Sequence, residues 1–333
     1  MTPQSIVAAP MAGGVTTPEL VHAVSAAGAF GFLAGGYLTA ERLAADIAMV
    51  REQTARFGVN LFVPSPEEVD RRAFRAYTAE VQPEADAYGL RLDPAPVTDD
   101  DGWSEKLALL LDDPVPAVSL TFALPSAREI AELRRVGTRV WATVTNHDET
   151  QAAHRVGVDG LIVQGASAGG HSATHDPRRD PHPIPTCDLT RMIRRAVPLP
   201  LIAAGGVDGP GAVRELVSSG ADAVAVGTLF LRADEAGTSS THRDALVDRR
   251  YTTTAITRAF TGRPARALRN GFVDRHGATA PTAYPAVHHL TRELRRAAAA
   301  AGDSDRLHLW AGTGYRSAPA RPAAEIVDWI ARG

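Results

Sequence analysis

What most constrains this chain is a repeated pattern: eight short runs of apolar and often β-branched residues, each followed by an amphipathic helical stretch. A parallel strand pair needs a long crossover, and a helix supplies it, so the alternation builds βαβ units. The expected strands are Ile6 to Ala9, Gly31 to Ala34, Gly58 to Phe62, Ala117 to Phe122, Val140 to Val144, Gly160 to Val163, Leu201 to Ala204 and Ala223 to Val226. Their nearly unbroken apolar character is that of strands covered on both faces. Eight such units close into a barrel, whereas an open doubly wound sheet more often has fewer strands and a dinucleotide fingerprint in its first turn. Here that turn is Met11-Ala12-Gly13-Gly14, without the fingerprint. The expected fold is α/β, a (β/α)8 TIM barrel.

The helices carry start and stop chemistry. Thr17-Pro18 offers a cap hydroxyl and a ring preset for the first turn, with Leu20, Val21 and Val24 as the buried stripe and Gly28 as terminator. Ser126 with Glu129 reads as a capping box before Gly137, and Asn146 with Glu149 reads as a second before Gly157. Pro210 to Gly220 supplies another helix. Two stretches break the rhythm. We expect the barrel in residues 1–64 and 114–242, a helical insertion in 65–113 after the third strand, and helices and loops of 243–333 packed over the barrel mouth. The run Ala297 to Ala301 reads as a solvated helix face, since alanine brings helix propensity and little chemistry.

With 44% apolar and 22% charged residues the chain has the composition of a globular protein, which excludes disorder or a fibre as the whole. A net charge of −3 with interspersed signs supports neither nucleic-acid binding nor attraction to an anionic membrane. The partner is therefore expected to be a small molecule, with homo-oligomerisation left open. The single cysteine, Cys187, forms no internal disulfide; it is read as an inert thiol near a helix start capped by Thr186. No basic and apolar leader precedes Ile6 and no apolar run approaches the roughly 20 residues that cross a bilayer, so a soluble cytoplasmic protein is expected.

In a barrel the ligand sits at the carboxyl ends of the strands. There the chain offers Asn60 after strand three, Gln164-Gly165-Ala166-Ser167-Ala168-Gly169-Gly170-His171 after strand six, Gly205-Gly206 after strand seven and Gly227-Thr228 after strand eight. Glycines opening toward helices let main-chain N–H groups approach a phosphate, although Gly205 and Gly206 also suit a plain tight turn. Asn60 and Gln164 each combine donor and acceptor, the mixture that a flavin pyrimidine edge requires. His171 follows a run with little side-chain bulk, so backbone can pass under a flat cofactor while the imidazole projects over it; its ordinary pKa suits proton transfer near neutrality. His175 is a candidate supporting residue, but the stretch from Thr174 to Pro185 reads as a mobile solvated loop. No metal site is expected: the histidines of 171–182 lack carboxylate or cysteine partners at ligand spacing. There is neither a serine nucleophile elbow nor a P-loop.

These residues lie in stretches that resemble the nitronate monooxygenases, formerly 2-nitropropane dioxygenases, and their FMN-only class in particular. The stretches are APMAGGVTTPELVHAVSAAGAFGFLAGGYLTAE, FGVNLFVP, VQGASAGGH, PLIAAGGVDGPGAVRELVSSGADAVAVGTLFL, FTGRPARALRNGFV and WAGTG. The resemblance implies FMN contacts from Met11, Asn60, Gln164, Gly169, Gly206 and Ala225, Val226, Gly227 and Thr228, with His171 as the catalytic histidine. It implies oxidation of alkyl nitronates, such as propionate 3-nitronate, by O2 to a carbonyl compound and nitrite; for this chain we expect His171 to orient the nitro group or, with a neutral nitroalkane, to remove the α proton. The sequence departs from the family at Ser167, where Glu is usual, and at Ala9, where Gln is frequent; Tyr284 and Tyr315 are further candidates for the mouth. Two alternatives stay open: an NAD(P)H-dependent reductase of quinones or enoyl thioesters on the same barrel, and a noncatalytic barrel that binds a phosphorylated ligand.

Overall fold

The computed structural model describes residues 2–65 and 68–332. Residues 66 and 67 of the expected insertion, and the terminal residues 1 and 333, lie outside the described residues. The strands in chain order are β1 (Ile6–Ala8), β2 (Phe30–Ala34), β3 (Phe57–Phe62), β4 (Ala117–Thr121), β5 (Arg139–Val144), β6 (Gly160–Gln164), β7 (Gly170–His171), β8 (Leu201–Ala204), β9 (Ala223–Val226), β10 (Thr254–Thr257) and β11 (Ala265–Leu268). Eight of them close a parallel barrel in the order β1-β2-β3-β4-β5-β6-β8-β9, β9 pairing back onto β1. The chain is a (β/α)8 barrel, as its pattern implies. Val7, Phe32, Ala117, Ile162, Ile202 and Ala225 fill the interior, so the barrel is a packed core with its site at one end.

Local chemistry sets the helix boundaries. The Thr17 hydroxyl accepts from Leu20 N, and Pro18 opens the helix Pro18–Ala26. Ser126 and Glu129 form the reciprocal capping box of Ala127–Arg135. Gly137 and Gly157 end their helices at φ of 90° and 87°, backbone that favours glycine. Asn146 does cap its helix by accepting from Glu149 N. The Glu149 carboxylate, however, closes no box: it accepts from Thr145 N, Thr145 Oγ1 and Thr174 Oγ1 and from His175 N. Two buried loops compete for that acceptor and win over the helix end.

The outer segments divide by where their apolar faces find partners. In 65–113, Trp103–Asp112 packs between the neighbouring barrel helices Ala40–Arg51 and Ala127–Arg135, whereas Arg71–Asp86 packs on Ala286–Ala300. The last helix, Ala323–Ala331, packs on the outside of the barrel. It lies against Pro18–Ala26 and Pro210–Ser218, with Ile326, Val327 and Ile330 fully buried. Each such side chain contributes about 1.5–3 kcal/mol on burial, and together they supply the eighth outer helix of the barrel. Between β9 and this helix the chain makes a long excursion. It forms a cap that contains strands as well as helices: the hairpin β10-β11 receives β7 as a third strand, pairing His171 with Ala265. Within Ala286–Ala300, Ala298 is buried, so the alanine run is only partly a solvated face.

Candidate active site

One cavity of about 230 Å³ opens at the carboxyl ends of the barrel strands, under the cap. The structure gathers around it the residues to which the resemblance gives a role: Met11, Asn60, Gln164, Gly169, His171, Gly206, Ala225, Val226, Gly227 and Thr228.

At one end, β8 and β9 finish in Gly205-Gly206 and Gly227-Thr228. Gly205 and Gly206 hold φ of 113° and 80°, conformations that a side chain strains. Gly227 is not strained, and a Cβ there would point toward Ala9 Cβ and Met11 Sδ, both 3.6 Å away. Its missing side chain leaves room in the cavity. Thr228 starts a 3-10 turn, Thr228–Phe230, whose first N–H groups have no helical partner. The Thr228 hydroxyl is committed elsewhere, accepting from Gly312 N at 2.9 Å. That bond straps the 311–313 segment down, as does Thr313 N donating to Ser167 O. Gly169 has no room for a Cβ, which would fall 2.4 Å from Gly312 N.

Asn60 Nδ2 donates to Ser119 O, Ser119 Oγ and Thr121 Oγ1, a buried network that fixes its amide at the end of β3. Gln164 spans the loop that follows β6: Nε2 donates to His171 O and Oε1 accepts from Ala173 N at 2.7 Å. Gln164 thus positions the His171 backbone besides lining the cavity. The stretch after His171 is not a solvated loop at its start. Ala173 and Thr174 are buried, and His175 Nε2 lies 3.2 Å from Thr143 O.

His171 stands among aromatic rings, with Phe122, Tyr284 and Trp310 at centroid distances of 5.7, 5.9 and 5.4 Å. The residue is half-buried and lines the cavity. Burial, with the Arg263 and Arg295 guanidiniums nearby, pushes the imidazole down to about 3. This corrects the expectation of a histidine titrating near neutrality: the ring is neutral across the physiological range. His171 Nε2 lies 2.9 Å from Thr261 Oγ1, while the same hydroxyl is 3.4 Å from Arg263 O. The shorter contact takes the hydroxyl proton, so Thr261 donates to Nε2 and the ring proton sits on Nδ1, a tautomer assigned from these distances.

Both cations are buried. Arg263 lies with its guanidinium 4.0 Å from the Phe122 ring centroid and donates to the Thr174 carbonyl. Arg295 donates to Thr291 Oγ1 and to the His288 carbonyl, and burial lowers it to about 10. Tyr37, at φ 66°, lines the cavity, stacks on His288 at 4.0 Å, and is raised by burial to about 12.

Other placements differ from the expectations. Tyr284 touches His171, but Tyr315 donates to Tyr251 O in a separate buried cluster. Ser167 faces the glycine turn, where a Cβ on Gly206 would meet Ser167 Cβ at 3.2 Å. Thr186 is the first residue of its helix instead of its cap, its hydroxyl buried without a partner; Cys187 is half-buried in the apolar layer. Among the described residues no group of three or more His, Cys, Asp or Glu is placed to hold a metal ion. Arg263, Arg295, Thr261 and Tyr37 escaped the sequence reading, since a buried arginine looks like a surface one until its neighbours are known.

The family model described as nitronate monooxygenase matches residues 1–333. The chain belongs to the nitronate monooxygenase family. The probable nitronate monooxygenase of Staphylococcus aureus strain Newman is 34% identical over 331 residues, 98% of this chain and 92% of the relative. The structure of a nitroalkane oxidase from Streptomyces ansochromogenes superposes with a TM-score of 0.95 at 46% identity, covering 99% of this chain and 95% of that one. FabK from Thermotoga maritima, at 24% identity and a TM-score of 0.75, covers 98% and 91% and shares the fold. Membership makes the chain an oxidoreductase of a flavin-dependent family. Among the described residues no helix is long and apolar enough to cross a membrane.

Proposed function

We propose that this enzyme binds FMN and oxidises alkyl nitronates with O2 to a carbonyl compound and nitrite. The fit to FMN rests on this chain's own residues. Main-chain groups of Gly206, Gly227 and Thr228, with Ala225 and Val226, would hold the phosphate where strand ends and a helical turn meet. Asn60 and Gln164 would face the pyrimidine edge, and Met11 and Gly169 would flank the ring. When bound, the flavin supplies the electron-transfer chemistry, and the protein supplies binding and orientation.

The observation that carries the substrate assignment is the electrostatics of His171. Burial first, and then the Arg263 and Arg295 guanidiniums, keep its imidazole neutral, and the positive field of those two cations favours an anion. A nitronate is such an anion. With Thr261 donating to Nε2, Nδ1–H is the group that hydrogen-bonds a nitronate oxygen and orients it. The same ring is a poor base for a neutral nitroalkane, so preformed nitronates are the better substrates. The reductase alternative gains nothing from the FabK likeness, which concerns fold.

The test is oxygen uptake and nitrite release with ethylnitronate and with nitroethane, after the flavin set free by denaturation has been identified by chromatography. We expect FMN and faster turnover of the nitronate. Turnover of neutral nitroethane at equal or higher rate would remove the anion assignment.

A further inference from the structure

Ser167 is a departure from the family that the chemistry at His171 does not use: a hydroxyl stands where Glu is usual. The loop after β6 carries it to the cavity wall, beside the glycine turn that ends β8. A Cβ built on Gly206 would lie 3.2 Å from Ser167 Cβ and 3.6 Å from Ser167 Oγ, so the side chain leans on that turn. Ser167 is tied down through its main chain instead, its carbonyl accepting from Thr313 N at 3.1 Å. Its hydroxyl makes no hydrogen bond among the described residues. It is also not one of the unpartnered polar atoms that lie closed off in the interior, so Oγ keeps accessible surface in a residue that lines the cavity. The neighbouring hydroxyl, that of Thr228, is already held by Gly312 N at 2.9 Å.

Among the described residues the wall of this cavity carries no Lys, Arg, Asp or Glu. A phosphate monoester is close to a dianion near neutrality. One bound here has no side-chain cation in the wall and depends on the hydrogen-bond donors around it. The main-chain N–H groups of Gly206 and Gly227 make no hydrogen bond among the described residues, and Ser167 adds a side-chain donor with no other claim on it. We propose that the Ser167 hydroxyl is a ligand of the flavin phosphate and sets much of the preference for FMN over riboflavin. A hydrogen bond to an ionised acceptor is about twice as strong as one between neutral groups, and no salt bridge from the wall would cover its loss. The inference rests on the proposed binding of FMN and adds which side chain recognises its phosphate.

The test uses the holoenzyme. It is equilibrated with mixtures of FMN and riboflavin and freed of unbound flavin, and the bound flavins are released by denaturation and separated by chromatography. The two share the isoalloxazine ring and the ribityl chain, so their bound ratio reports on the phosphate alone and needs no turnover. We expect the parent to select FMN and Ser167→Ala to lower that selectivity about 10- to 150-fold, the range for one hydrogen bond to a charged group. Ser167→Cys fills the same space but donates weakly, and its selectivity should fall with that of the alanine variant. An unchanged ratio in Ser167→Ala, whether or not total bound flavin falls, overturns the assignment and leaves the FMN reading in place. So does a ratio that Ser167→Cys keeps in full. A parent enzyme that holds FMN and riboflavin alike would remove the FMN reading itself, and the role of Ser167 with it.

Discussion

Replacing Thr261 by valine removes the hydroxyl that contacts His171, the histidine proposed to orient the substrate. The side chain is 1% exposed and valine is nearly isosteric, so packing is preserved. What changes is the 2.9 Å contact to His171 Nε2. Without the Thr261 donor, the Nδ1–H tautomer loses its support and a buried ring nitrogen is left unpaired. A buried polar group without a partner costs about 1–3 kcal/mol, which corresponds to about 5- to 150-fold in a rate or binding constant. The loss should fall on kcat/KM for ethylnitronate, which needs the Nδ1–H donor. With the tautomer free to shift, bare Nδ1 becomes more populated and nitroethane should lose less, so the nitronate-to-nitroalkane ratio drops. Oxygen-uptake kinetics on both substrates, with the flavin spectrum as a check that the fold is retained, would measure it. An unchanged ratio, or no loss with the nitronate, would refute the tautomer and with it the orienting role of His171.

Gly169→Ala should be harmful although alanine is small, because its Cβ would sit 2.4 Å from Gly312 N and 2.6 Å from Ala311 C, and backbone cannot swing aside. Overpacking of this kind costs about 1–3 kcal/mol, to be read as a lower melting temperature and weaker flavin binding by fluorescence titration. The enzyme should lose stability on acidification. A histidine whose folded pKa is depressed leaves stability intact above the unfolded value near 6.5, and stability is lost as pH falls below it because the unfolded chain binds the proton first. His242, held down to about 4, contributes a loss of about 2 kcal/mol at pH 5, and His171, His288 and His308 shift in the same direction. Melting curves at pH 7.5 and pH 5.0 check this; equal midpoints would contradict it. Nitronate turnover should show no ionisation of His171 between pH 5 and pH 8, since the ring stays neutral there; a pH–rate profile with a step near 6.5 that disappears in His171→Gln would refute it.

The barrel was legible because its strands are short apolar runs between glycines and cap residues, signals that act within a few positions. Ser126-Glu129 and Thr17-Pro18 do in space what they promise in order. The glycines of 205–206 and 227 and the Gly-Gly before His171 were legible for a related reason: absence of bulk at a strand end is itself information. Long-range competition was not legible. Glu149 sits at capping-box spacing but is drawn to Thr174 and His175, about one loop away in space and 25 or 26 positions along the chain. Ala323–Ala331 has an amphipathic pattern that fits a cap helix as well as an outer barrel helix; only the gap between Pro18–Ala26 and Pro210–Ser218 decides. The two-residue strand at Gly170–His171 is too short for any periodicity to show. The pKa of His171 was misjudged for the same reason, because Arg263 and Arg295 arrive from 92 and 124 positions downstream.

The central claim, a flavin in this cavity that takes electrons from an anionic nitronate, is tested most directly by anaerobic rapid mixing of the yellow protein with ethylnitronate and, separately, with NADH and NADPH. The account predicts bleaching of the flavin absorbance by the nitronate and no bleaching by the nicotinamides on that timescale. Rapid bleaching by either nicotinamide with none by the nitronate, or a protein that binds no flavin, would contradict it.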